Sequence, residues 1–457
     1  MSPKEAAIDV VRALRRAGYQ AYLVGGCVRD LLLGREPADY DVATDATPDE
    51  VMRIFPRTWA VGAQFGVVLV PFDGTVEPPV DETWVKQHLV TEVATFRSDG
   101  LYTDGRHPDE VQYTRTPQED VRRRDFTING LLLDPIADRV LDFVGGQADL
   151  KAGIIRTIGD ARRRFAEDKL RLLRSVRFAA RFGYQIEPET FAAIRELAPQ
   201  IHVVSRERVR EELTKMLTEG HARRAFELLD ETGLLHEALP QIERMKGVQQ
   251  PPQFHPEGDV WIHTLIMLGM LPPGCSRTLA WGVLLHDVGK PATFRRAPDR
   301  IRFDGHVEVG EAITKELLRR LRFSNDDIEQ VVALVANHMR FADVPRMKQS
   351  TLKRFMRRPR FEEHLELHRI DCLGSHGDLT IYEYVRGQFE HTPREQMRPA
   401  PLVTGHDLIE LGMQPGPAFK DILNALEDAQ LEGQIDSKQQ AIEFVRQLTL
   451  SNPELKS

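Results

Sequence analysis

The chain has 457 residues, with 61 Lys and Arg against 69 Asp and Glu for a net charge of −8, and is 41% hydrophobic and 28% charged. At about 100 to 200 residues per domain this length predicts two to four domains, and the composition excludes collagen, coiled coil and wholesale disorder. The acidic balance argues against indiscriminate coating of nucleic acid, yet between Arg122 and Arg181 fourteen Lys and Arg stand against eight Asp and Glu. That local excess points to an anionic partner, with a solvated set of helix faces as the plainer reading.

Residues 1 to 5 lead into an amphipathic stretch instead of an apolar signal core, and no apolar run approaches the ~20 residues that span a bilayer. Cys27, Cys275 and Cys372 are scattered, odd in number and without metal spacing, as reduced thiols are. The expectation is a cytoplasmic protein with no membrane partner. Residues 4 to 17 carry Ala7, Val10, Val11 and Leu14 at helical spacing, and Gly18 closes the helix. A strand follows at Ala21 to Val24, then the pair Gly25 and Gly26, a helix start at Val28 to Leu33, and a second strand at Asp39 to Val42. Gln64 to Val70 and Val90 to Arg97 are further strands, joined by an insert from Pro71 to Gln87 that reads as a surface excursion.

The first ~145 residues therefore read as an α/β domain. From Gly159 to about Gly247 helical period takes over and strand signals vanish. Residues 249 to 258, with three prolines, look like a linker. A second helical domain runs from about Asp259 to His376, and a stretch from Thr392 to Pro401 precedes two final helices. The expected architecture is multidomain α+β: a head over 1–146, a helical neck over 147–250, an all-α domain over 251–385 and a helical tail over 386–457.

A side-chain-free turn at Gly25 and Gly26, entering a helix that carries Arg29, lets backbone N–H groups approach a phosphate. Alone, such a pair is more often a plain tight turn. Asp39 and Asp41 add weight, because period-two alternation puts both carboxylates on one face, close enough to share a divalent metal, with Mg²⁺ the expected guest. Glu92 supplies either a third carboxylate or a surface acid on an edge strand. Asp168 and Arg171, three apart, fall on one helix face, where an exposed ion pair is the plain alternative. Arg174 and Arg177 continue near that face, and Arg122 to Arg124 form a basic loop ahead of core residues Phe126 and Ile128.

The motifs Leu23-Val24-Gly25-Gly26-Cys27-Val28-Arg29-Asp30, Asp39-Tyr40-Asp41, Arg123-Arg124-Asp125-Phe126-Thr127-Ile128-Asn129 and Glu167-Asp168-Lys169-Leu170-Arg171 together resemble the class II tRNA nucleotidyltransferase and bacterial poly(A) polymerase family, over roughly residues 20 to 250. The resemblance implies a polymerase beta-like nucleotidyltransferase head in which the glycine turn and Arg29 hold a nucleoside triphosphate. It gives Asp39 and Asp41 two-metal catalysis, with Glu92 a further acid. Arg123, Arg124, Asp125 and Asn129 match its ribose-sensing motif, which here ends in Gly130 where alanine is usual. Asp168 and Arg171 match the pair that reads the incoming base: Asp accepts from the exocyclic amine shared by C and A, and Arg donates to the adjacent ring nitrogen. Arg174 and Arg177 would complete nucleotide or RNA contacts. Ser205 to Arg208 with Glu211 and Glu212 matches a motif that braces the neck, and Ser98 to Pro108 a flexible loop that favours full CCA or A addition over CC addition. The implied partners are tRNA, CTP and ATP. A poly(A) polymerase has the same head motifs.

His286-Asp287 follows the apolar run Leu279 to Leu285, with His263 upstream and His306, His338 and Asp371 downstream. Over about residues 259 to 376 this resembles the HD phosphohydrolase superfamily. The resemblance makes His263, His286, Asp287 and Asp371 a metal set and gives His306 and His338 the extra positions of two-metal members. Mixed imidazole and carboxylate ligands suit Mn, Fe, Ni or Zn, and hydrolysis of a phosphoester is the chemistry implied. A rival reading makes this the main activity, with the head only carrying RNA. His255, His364, His368 and His376 are expected to be surface or core residues.

Overall fold

The computed structural model describes residues 1–60, 66–72, 89–99, 111–253 and 255–452. The insert from 71 to 87, the loop from 98 to 108 and the start of the strand expected at Gln64 therefore lie largely outside the described residues. The chain forms two compact units, Met1–Pro240 and Gln241–Ser457.

Unit 1 opens with the helix Pro3–Arg16, started by a reciprocal capping box between Ser2 and Glu5 and by proline in its first turn. Ala6, Ala7, Val10, Val11 and Leu14 are buried on one face, and Gly18 takes the left-handed φ of 92° that ends it. A mixed six-stranded sheet follows, in the order β3-β4-β2-β1-β7-β8. Its strands are β1 (Ala21–Val24), β2 (Asp41–Thr44), β3 (Val67–Pro71), β4 (Val90–Thr95), β7 (Leu131–Asp134) and β8 (Arg139–Asp142), while β5 (Arg97–Asp99) and β6 (Val111–Tyr113) form a separate antiparallel ladder. The central strand β1 pairs antiparallel with β2 and β7, and β2 runs parallel to β4. Val24, Ala43, Phe96, Val121, Leu132 and Ile158 close a core on the sheet.

The second strand begins at Asp41, not Asp39; Asp39 precedes it and is exposed. The helix expected at Val28 begins at Gly26, because Gly25 at φ 77° turns the chain at once. Beyond Gly159 the unit is helical, as the helical period implied, except that Gln185–Ile186 (β10) pairs with Ile154–Ile155 (β9). Gly130 has a local cause: a Cβ there would lie 2.9 Å from Val144 Cγ2, 3.0 Å from Ile158 Cδ1 and 3.1 Å from Val121 Cγ1. The branched neighbours occupy the space that alanine would need.

Unit 2 is helical, apart from the ladder of β11 (Arg295–Arg296) with β12 (Ile301–Arg302). The helices Val260–Gly269, Arg277–Leu285, Asn325–Asn337 and Phe361–Gly374 pack together, and their apolar faces bury Trp281, Leu284, Leu334 and Ile370. The start of the stretch expected to be a linker is tied down: Gln249 bridges Asp259, and Gln250 is buried against Lys290. Among the described residues, no helix is long and apolar enough to cross a membrane.

Candidate active site and a second metal-ligand cluster

Strand register brings the head site together. Val24, the last residue of β1, pairs with Asp41, and the alignment of Val42 with Val93 sets Asp41 beside Glu92. The Gly25 turn follows Val24 directly, so glycines and carboxylates share one end of the sheet. The Asp41 carboxyl is pushed up to about 7, first by burial, then by the negative charges of Glu92 and Asp39, with Arg124 opposing. Three carboxylates so placed repel one another unless a cation stands between them. Their all-oxygen donor set fits Mg²⁺.

Facing them is a cavity of about 530 Å³ that contains Gly25, Gly26, Arg29, Asp41, Arg123, Arg124, Asp125 and Asn129 from the head, and Asp168, Arg171, Arg174 and Arg177 from the helices that follow. Asp39 and Glu92 do not line it; both stand close enough to Asp41 for their charges to raise its carboxyl. Nine cationic side chains line it against four carboxylates, an arrangement that attracts a polyanion such as a triphosphate. A Cβ at Gly25 would lie 3.3 Å from Arg124 Nη1; glycine keeps that guanidinium close to the turn.

A chain of hydrogen bonds holds the floor. Arg29 is buried, with its Nη1 donating to Asn129 Oδ1 at 2.6 Å and its Nε to Asp30 Oδ1 at 2.8 Å. Its guanidinium carbon lies 4.7 Å from the centroid of the Phe182 ring. Asn129 Nδ2 donates to Asp125 Oδ1 at 3.1 Å, and Asp125 Oδ2 accepts Arg174 Nε at 2.9 Å and Nη2 at 2.6 Å. Burial raises the Asp125 carboxyl, but the Arg174 charge and these hydrogen bonds outweigh it and hold the group down at about 2. Arg177 pairs with Glu212 at 2.7 Å.

Asp168 departs from the expected helix face. It sits with φ −145° and ψ 109° between the helices Ala161–Glu167 and Leu170–Phe182, because its carboxylate caps Leu170 N. Its partner is Arg208, whose Nη1 and Nη2 reach the two oxygens at 3.2 and 2.7 Å. Arg171 donates to the carbonyl oxygens of Arg164 and Arg123 and to Glu167 Oε2. Asp168 and Arg171 still line one cavity, each fixed by a different neighbour.

Two residues stand outside the expected set. Asp120, 1% exposed, accepts from Arg123 Nε at 2.9 Å and from Arg124 Nη2 at 3.0 Å, so one buried carboxylate aims both arginines. Its spacing of three and four before them was a readable signal. Arg208 stood within the bracing motif without an assigned partner.

In unit 2 the six expected residues converge. One ligand atom each from His263, His286 and Asp287 lie within 4.8 Å of one another, as do those of Asp287, His306 and His338, with Asp287 shared. Asp371 Oδ1 is 3.2 Å from His263 Nε2. Close packing seats the group: a Cβ at Gly289 would fall 2.0 Å from the carbonyl oxygen of His306. Asp287 Oδ1 is buried without a hydrogen-bond partner, while Asp287 Oδ2 lies 3.1 Å from His286 Nε2 and 2.7 Å from Lys290 Nζ. Burial keeps His306 low and brings His338 down to about 4, so both stay neutral. The donor set therefore fits a borderline divalent cation. Glu257, 2.7 Å from His263 Nδ1, orients that ring as outer carboxylates do. His255 is part of this surrounding, bonded to Glu257 at 2.9 Å, and so is not a bystander. His364 and His368 are buried in a core, His368 stacked 4.2 Å from Phe341.

The glycine turn facing carboxylates across a cationic cavity defines a nucleotidyltransferase head. A family model described as the poly A polymerase head domain matches residues 21–156, one described as a probable RNA and SrmB-binding site of polymerase A matches 183–246, and one described as a putative tRNA nucleotidyltransferase domain 2 matches 305–445. The CCA-adding enzyme of Geobacillus stearothermophilus is 31% identical, over 96% of this chain and 96% of its own length. That of Geobacillus thermodenitrificans is 44% identical over 51% of this chain, and the match spans about half (54%) of that relative. The crystal structure of the Bacillus stearothermophilus CCA-adding enzyme in complex with CTP has a TM-score of 0.74 at 28% identity, covering 99% of each chain. The chain belongs to the family of CCA-adding enzymes.

Proposed function

We propose that the chain is a template-independent RNA nucleotidyltransferase that completes the 3′-CCA end of tRNA from CTP and ATP. The observation that carries this is the single cavity in which Asp41, the glycine turn and the arginines meet Asp168 and Arg171. The triphosphate takes the turn and the guanidinium groups of Arg29, Arg123 and Arg124. Asp125 and Asn129, bonded to each other and lining the same cavity, would contact the ribose. Asp168, oriented by Arg208, keeps acceptor capacity for the exocyclic amine of C or A. Arg171 has donors to spare for the ring nitrogen, since three of its five N–H groups are engaged. Asp39, Asp41 and Glu92 would hold Mg²⁺, which supplies activation of the RNA 3′-hydroxyl and neutralises the leaving pyrophosphate. The division into head (1–146), neck (147–250), metal-binding domain (251–385) and tail (386–457) belongs to this reading. The test is to offer transcripts ending at the discriminator base, at C and at CC with CTP, ATP and Mg²⁺, and to sequence the 3′ ends. Stepwise completion of all three supports the reading. A long A tail on arbitrary RNA makes the chain a poly(A) polymerase instead.

For unit 2 we infer an HD-type metal site built from His263, His286, Asp287, His306, His338 and Asp371. The supporting observation is the convergence of His263, His286, Asp287, His306 and His338 ligand atoms, with Asp287 shared by both groups and its Oδ1 buried without a hydrogen-bond partner. A cavity of about 490 Å³, with Phe303, Met339 and Ile381 on its wall, opens beside His306, His338 and Asp371, room for a small phosphoester. Metal analysis of the purified protein and of Asp287→Ala tests it; equal metal content in both sinks the reading.

A further inference from the structure

A second cationic cavity, of about 380 Å³, lies in unit 2 away from the imidazole cluster. It is lined by Arg357, Arg358, Arg360, Arg394 and Arg398 against one carboxylate, Glu362, over a floor that includes Phe361 and Phe389. Arg357 is spent on Glu427. Among the described residues, Arg358, Arg360, Arg394 and Arg398 have no carboxylate at ion-pair distance. Arg358 Nε is buried with no hydrogen-bond partner. Burial, and then the charge of Arg340, pull that guanidinium below its usual range. In a chain of net charge −8, four guanidinium groups without a carboxylate partner, the half-buried Arg358 and the exposed Arg360, Arg394 and Arg398, concentrate positive potential around one hollow and attract an anion to it. The helix Phe361–Gly374, which has no side-chain cap, begins on the wall of the cavity and adds its dipole in the same sense.

Guanidinium forks match phosphate oxygens in pairs. Four of them exceed what one phosphate needs and suit successive phosphates of a backbone. Arg394 and Arg398, four apart and exposed, can follow such a strand. We propose that this cavity is a phosphate-binding site that takes backbone phosphates of RNA, apart from the nucleotide-selecting site of unit 1. The RNA assignment rests on the tRNA reading above, whereas the phosphate chemistry does not.

The test uses the full chain and the variants Arg358→Gln, Arg398→Gln and the pair, with Arg394→Gln, an exposed change, as the variant least able to disturb folding. Anisotropy of labelled tRNA lacking CCA, without nucleotide, is read from 50 to 300 mM salt. The pair should bind about 10-fold more weakly, and the slope of log affinity against log salt should shrink by about one for each guanidinium removed. CTP incorporation at saturating tRNA should be unchanged, so that the effect falls on KM for tRNA. Calorimetry with inorganic phosphate and pyrophosphate forms the second arm. Binding of those ions lost in the variants, at unchanged tRNA affinity, keeps the phosphate site and overturns RNA as its source. Unchanged tRNA affinity, salt slope and phosphate binding in every variant overturns the site. A wild-type chain that extends no tRNA removes the functional reading, and the phosphate arm still decides this one.

Discussion

Replacing Asp125 by Asn isolates the physical logic of the nucleotide cavity. The change keeps the shape and the acceptor toward Phe126 N, but removes the charge that Arg174 grips through two hydrogen bonds. The Asp125 carboxyl stands at about 2 against an ordinary 3.8; at about 1.4 kcal/mol per pH unit this is about 2 kcal/mol of stabilisation. Because the folded value is depressed, that stabilisation is present in full above pH ~4 and is lost as pH falls toward about 2. At pH 7, Asp125→Asn should therefore cost about 2 kcal/mol, and somewhat more where Arg174 is left without a counter-charge. A double-mutant cycle with Arg174→Gln, read by urea unfolding of the full chain with an extrinsic fluorescent label placed in unit 1, should give a coupling of about 2 kcal/mol at pH 7 that shrinks by pH 3. Since Arg174 lines the cavity and loses its anchor in this variant, KM for CTP should rise. A coupling below about 0.5 kcal/mol at pH 7 would refute the account of Asp125 as a charged anchor.

Further outcomes are expected. Asp41→Asn should lower nucleotide addition by roughly three orders of magnitude, about 4 kcal/mol of barrier, while CTP binding measured without Mg²⁺ stays within a few-fold; retained activity removes Asp41 from catalysis. Asp120→Asn, which slackens Arg123 and Arg124 together, should raise KM for both CTP and ATP more than it lowers kcat, with partial rescue by Asp120→Glu. Gly130→Ala should destabilise by about 1–2 kcal/mol through overpacking against Val144 and Ile158, and Val144→Ala in the same chain should recover part of it in thermal melts. His286→Ala should lose bound transition metal by elemental analysis yet leave CCA addition intact, because its cluster lies in a separate unit.

The sequence by itself determined the local pieces. The helical period from residue 4 and the closing Gly18 marked the first helix, the apolar run Ala21 to Val24 was the central strand, and the Gly25-Gly26 pair marked a turn, at whose Gly25 the backbone takes a φ that favours glycine. The six residues of unit 2 were legible through their resemblance to the HD phosphohydrolase pattern, not through any periodicity of their own. Tertiary structure decided what those pieces face. Strand register alone brought Glu92 beside Asp41, since it depends on which strands pair across roughly fifty residues of chain. Asp168 left its expected helix face because capping Leu170 and pairing with Arg208 outweighed helical continuation. Asp120 became the buried clamp of Arg123 and Arg124, Gln250 was fastened to Lys290, and four arginines of unit 2 were gathered around one hollow. Each depends on long-range packing, which decides which charges meet a partner and which crowd together, and no periodicity along the chain encodes that choice.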